Sequence, residues 1–181
     1  MNKRGGATAA DLVNNNTEEQ LADIFYLYGE LRNARRIAAA LVKARSVKPI
    51  ATTHDFMEAV EPLFHREREK KDMAKLFQAL RIAVNSELDQ LSQCLDTAFD
   101  CLNPGGRFVI LTFHSLEDRM VKQKFAAYCQ GCTCPPDFPV CVCGKQPRAR
   151  LINRKPIEAD AEELAQNSRS KSAKLRILEK L

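Results

Sequence analysis

The run Pro104–Arg119, PGGRFVILTFHSLEDR, constrains the fold more than any other part of this sequence. Pro104, Gly105 and Gly106 stop a helix and supply a turn that tolerates positive φ. Phe108–Phe113 is an almost unbroken apolar run with three β-branched residues, the pattern of a strand buried on both faces. Ser115 reads as the N-cap of the next helix, with Asp118 three residues on in a capping-box arrangement and the helix continuing to about Tyr128. His114 and Ser115 then stand at the carboxyl end of a central strand, the edge where open α/β sheets bind their ligands.

Upstream the patterning is helical, with no strand before residue 105. Thr17-Glu18-Glu19-Gln20 is a capping box whose helix Gly29 can end. A second helix spans about Glu30–Arg45, its stripe Leu31, Ala34, Ile37, Ala38, Leu41 and Val42 lying opposite Arg32, Arg36 and Lys43. Thr52 or Thr53 caps a third, through about Phe64, and the charged stretch His65–Asp72 reads as a loop or a frayed end. Residues 73–102 give one long helical pattern on Leu76, Leu80, Ala83, Val84, Leu88, Leu91, Leu95, Ala98 and Leu102. Gln78, Arg81 and Asn85 share one side of it, which on spacing alone is an exposed face.

Beyond the central strand and its helix, Leu151–Lys155 reads as a short strand and Asp160 as the cap of a helix through Gln166. Ser172–Leu178 alternates as a last strand. Helix and strand in turn make half of a doubly wound α/β sheet. Residues 1–74 form a small all-α domain and residues 75–181 an α/β portion.

Residues 145–181 hold ten Lys and Arg against five Asp and Glu, which is the whole of the net +5. A basic surface suits a polyanion such as RNA, and equally a solvated face. No apolar run approaches the roughly 20 residues that span a bilayer. The first sixteen residues lack the apolar core of a secretory signal, so the expected compartment is the cytoplasm.

Five of the seven cysteines fall within residues 129–144, CQGCTCPPDFPVCVCG. Cys132/Cys134 and Cys141/Cys143 form two C-x-C pairs on a Pro-rich loop, and four thiolates can close a tetrahedral Zn²⁺ site. An iron–sulfur cluster or unligated thiols are the alternatives, and a reducing cytosol disfavours disulfides. Cys94 and Cys101, seven apart on one helix face, read as core.

Three blocks carry a resemblance: Phe77–Asn85 with Glu87-Leu88, Phe113–Arg119 after its Pro-Gly-Gly strand, and Asn167–Arg176. Together they resemble the signatures of the RsmH (MraW) proteins, S-adenosylmethionine-dependent methyltransferases acting on N4 of a cytidine in small-subunit ribosomal RNA. The resemblance implies the C-terminal half of a Rossmann-like class I methyltransferase domain over 75–181, preceded by an inserted substrate-recognition domain over 1–74. It also implies an antiparallel pair of last strands, and a cofactor site on an N-terminal half not present in this sequence. Arg81, Asn85, His114, Ser115, Glu117 and Arg119 become candidate RNA-binding residues. His114 is the candidate catalytic base, against the plainer reading of a histidine hydrogen-bonded beneath the corner. A non-catalytic RNA-binding or zinc-stabilised module is the alternative function.

Overall fold

The computed structural model describes residues 6–64, 69–135 and 142–181. The chain divides into two compact units, residues 1–87 and 88–181.

The first unit is helical: α1 (Ala9–Asn15), α2 (Glu18–Leu27), α3 (Ala34–Val47), α4 (Thr53–Val60) with a 3₁₀ turn through Leu63, and α5 (Glu69–Asn85). Thr8, Thr17 and Thr52 each close a capping box, with Asp11, Gln20 and Asp55 as partners. Thr8-x-x-Asp11 opens α1, a helix the apolar pattern had not disclosed. Gly29 follows α2 where a Cβ would sit 2.6 Å from the Phe25 carbonyl oxygen, so no larger residue fits. Leu21, Phe25, Ile37, Ala38, Leu41, Val60, Leu76 and Ala79 form the buried core of this unit.

The pattern over 73–102 is broken in the structure. Ser86 takes a φ of 49°, which ends α5 and starts α6 (Glu87–Cys101). The apolar stripe accordingly serves two cores, Leu76 and Leu80 in the first and Leu95 in the second. Helix α5 also starts at Glu69, inside the stretch read as a loop.

The second unit is mixed α/β with a small antiparallel sheet. Strand β1 (Arg107–Thr112) is followed by α7 (Ser115–Cys129), β2 (Ala149–Leu151), β3 (Ile157–Glu158), α8 (Ala161–Gln166) and β4 (Lys174–Lys180). Strand β4 is the hub, antiparallel to β1, β2 and β3. Its register sets Val109 against Ile177 and Arg107 against Glu179. The Gly105-Gly106 turn is tied to the end of β4, because Gly105 N–H donates to the Lys180 carbonyl at 2.8 Å. The Lys180 ammonium donates to the carbonyls of Phe99, Asp100 and Leu102, closing the C-terminus of α6.

Two strand expectations are corrected. Residues 152–156 are not a strand, because the Asn153 side chain replaces the ladder. It accepts from Ile177 N–H at 2.7 Å and donates to the Leu175 carbonyl. Nor is β1 buried on both faces. Phe108 and Ile110 pack with Leu95, Phe99, Val121 and Phe125, whereas Val109, Leu111 and Phe113 are 51%, 51% and 56% exposed. Among the described residues, α6 and α7 supply a core to one face only.

Candidate functional site

The corner between β1 and α7 is built differently from the Ser-capped turn that its sequence suggests. His114, not Ser115, is the N-cap, and Glu117, not Asp118, completes the box. The Glu117 N–H donates to His114 Nδ1 at 3.4 Å. The Glu117 carboxylate accepts the N–H groups of Phe113 at 2.9 Å and His114 at 3.2 Å. Three of the donors exposed at a helix start are thus satisfied within the corner. The signal was H-x-x-E, a capping box with imidazole in the usual place of a hydroxyl.

His114 Nε2 lies 3.2 Å from Glu117 Oε1, off the hydrogen-bonding direction, and this atom is buried with no aligned partner. The ring is therefore turned into the corner. Burial works to raise the Glu117 pKa, but the adjacent His114 imidazole and the N–H groups of Phe113 and His114 outweigh it and bring the carboxyl down to about 2.

Asp118 faces β4. Arg176 grips it through Nε at 2.7 Å and Nη2 at 3.1 Å, with Lys174 Nζ 3.8 Å away. Hydrogen bonding to Arg176 lowers the Asp118 pKa against the opposing effect of burial. The pair is 10% and 13% exposed at its two side chains, so it locks the first turn of α7 to the sheet. Ser115 and Arg119, on that same turn, lie at the surface. The fork–fork match of guanidinium and carboxylate fixes the angle at which α7 leaves the corner.

Arg81 and Asn85 come together at the end of α5. Arg81 Nε and Nη2 hold both oxygens of Glu87 at 2.9 and 3.0 Å, and Asn85 Nδ2 donates to the Arg81 carbonyl and to Glu87. Their chemistry in this structure is to close a helix end beside the strained Ser86. Glu87 is the member of this cluster that the exposed-face reading overlooked.

On the Cys-rich loop the sulfurs of Cys132, Cys134 and Cys143 all lie within 4.8 Å of one another. Cys141 lies outside the described residues. Backbone N–H groups of Val142 and Cys143 donate to the Cys134 sulfur and draw its pKa down. Cys94 and Cys101 are exposed rather than core.

A family profile described as the MraW methylase family matches residues 1–181. A protein of Phocaeicola vulgatus named ribosomal RNA small subunit methyltransferase H is 55% identical over 99% of the chain, and the match covers 58% of that protein. Proteins of the same name from Pelobacter propionicus and a Paenibacillus species are 50% and 49% identical over all of it, covering 59% and 58% of their own lengths. The chain thus spans under two thirds of the curated relatives it matches, as a C-terminal portion. No helix among the described residues is long and apolar enough to cross a membrane.

Proposed function

This chain belongs to the MraW methylase family, and from that premise we propose that it serves methylation of N4 of a cytidine in small-subunit ribosomal RNA, in the cytoplasm. S-adenosylmethionine is the methyl donor in this reading. The near-complete alignment of the chain with proteins named as small-subunit ribosomal RNA methyltransferases carries it.

The described residues do not fit the donor itself. Two turns among them lead from a strand into a helix, Phe113-His114 and Ala159-Asp160, and neither holds a glycine. Such turns bring backbone close to a nucleotide only where a side chain is absent. This portion is accordingly the RNA side of the enzyme. Residues 88–181 are its C-terminal piece of a Rossmann-like domain, and the helical unit is an inserted substrate-recognition domain.

Ser115 and Arg119 on the surface of the first turn of α7 are the RNA contacts nearest the corner, and an arginine there suits a phosphate. His114 and Glu117 act as positioning residues that set this turn. Arg81 and Asn85 are the RNA-facing candidates of the helical unit. The basic C-terminal fifth adds a sequence-independent attraction for the polyanion.

Nucleoside mass spectrometry of small-subunit ribosomal RNA tests this, comparing cells with and without the gene. The proposal predicts loss of one N4-methylated cytidine on deletion and its return on complementation. RNA with an unchanged set of methylcytidines would overturn it.

A further inference from the structure

The described residues of the loop between α7 and β2, 130–135 and 142–148, bury no apolar side chain that would hold them in place. Tyr128 and Ala149 flank it in the core, yet no described hydrophobic residue from 130 to 148 is buried. Its described ends are nonetheless drawn together. Arg148 N–H donates to the Tyr128 carbonyl at 2.9 Å, and Gly131 packs so tightly on Pro147 that a Cβ would sit 3.3 Å from its ring. Small segments without a core of their own are commonly held by cross-links, and the side chains that lie close together between these ends are thiols.

Cys132, Cys134 and Cys143 bring one sulfur each together, with mutual separations of no more than 4.8 Å. The Cys132 and Cys143 sulfurs are 3.6 Å apart. Thiolates on a tetrahedral zinc ion, with Zn–S bonds of about 2.3 Å, stand roughly 3.8 Å from one another. The cluster therefore needs little movement to take the ion. A main-chain N–H points at the cluster as well: Cys134 N–H donates to Cys132 Sγ at 3.4 Å. Donors of this kind orient ligand sulfurs and stabilise their charge. Gly144, at a φ of 62°, turns the chain away just after the last ligand.

Other uses of the cluster fit less well. Cys132 and Cys143 are exposed, so these sulfurs are not core filling. A disulfide would join two sulfurs and leave the third, held within 4.8 Å of both, without a role. No carboxylate or imidazole joins the three sulfurs in a described cluster, so the donor set is soft and selects a thiophilic ion over magnesium or calcium.

We propose that Cys132, Cys134 and Cys143 bind a structural Zn²⁺ ion that staples the α7–β2 loop. The site rests on these three thiolates and stands independently of the methylation reading.

The test is made on the full chain, purified without chelator under reducing conditions and titrated with zinc chloride. Elemental analysis should return about one zinc per chain. Zinc should slow alkylation of Cys132, Cys134 and Cys143 at least tenfold (on the order of the ligand protection a bound ion confers), while the exposed Cys94 and Cys101 react at unchanged rates. This readout needs no variant. In Cys132→Ser and Cys134→Ser zinc affinity should fall by about tenfold or more, with Cys94→Ser as the unaffected control. Substitution with Co²⁺ should give the intense absorption of thiolate-to-metal charge transfer. Less than about a tenth of an equivalent of zinc, or equal alkylation of all cysteines with and without it, would overturn the site. Recovery of a Cys132–Cys143 disulfide under the same reducing conditions would overturn it as well.

Discussion

Glu117 does the most of any single residue at the β1–α7 corner. Its carboxylate accepts the N–H groups of Phe113 and His114 and lies beside the imidazole, so the folded state favours the ionised form down to about pH 2. The ordinary value is 4.5. Because the folded pKa is depressed, the stabilisation is fully present above about pH 4.5 and is lost as the pH falls toward 2. Denaturant midpoints measured from pH 6 downward should therefore decline through that window, and Glu117→Gln should flatten the decline. Glu117→Ala should cost about 1 kcal/mol at neutral pH, the usual loss on removing one side of a cap. A midpoint in Glu117→Gln that still tracks wild type through the window would show that the carboxylate is not held as described. His114 was legible as a corner residue, because the apolar run stops there. Its capping role was not, since imidazole is an uncommon cap and Ser115 beside it is a common one.

At the scale of elements, side chains that replace backbone pairing explain where patterning misled. Asn153 satisfies Ile177 and Leu175 from outside the ladder, so an apparently continuous strand becomes β2, a loop and β3. Ser86 in the left-handed region divides one helical pattern into α5 and α6, although the apolar period runs on through it. Period reports which face is buried and is blind to a single reversed φ. What joins α7 to β4 is also a side-chain pair. Arg176 and Asp118 are nearly buried, and removing either leaves the other charge without its partner. Asp118→Ala should destabilise the chain by about 3 kcal/mol in equilibrium denaturation, and the double variant Asp118→Leu with Arg176→Met should recover most of that loss. A loss in Asp118→Ala below about 1 kcal/mol would mean that solvent screens the pair.

At the scale of the molecule, the chain forms two units, each with its own apolar core. The helical unit was readable from α2 to α4, where the Thr17 capping box, a threonine cap at Thr52 and a 3.6-residue stripe agree with one another, whereas α1 behind its Thr8 box was not. The α/β unit was readable in its β1–α7 segment and less so in its sheet, where β4 pairs with three strands far from it in sequence. The family was legible because its signature blocks fall on the elements that the fold depends on: the end of α5, the β1–α7 corner, and the turn leading into β4. In the proposed division of labour this portion meets RNA and the methyl donor is held elsewhere in the enzyme. Calorimetric titration of S-adenosylmethionine into the purified, folded chain tests it most directly. No saturable heat is expected; saturable binding of about one donor per chain would place a cofactor site among these residues and contradict that division.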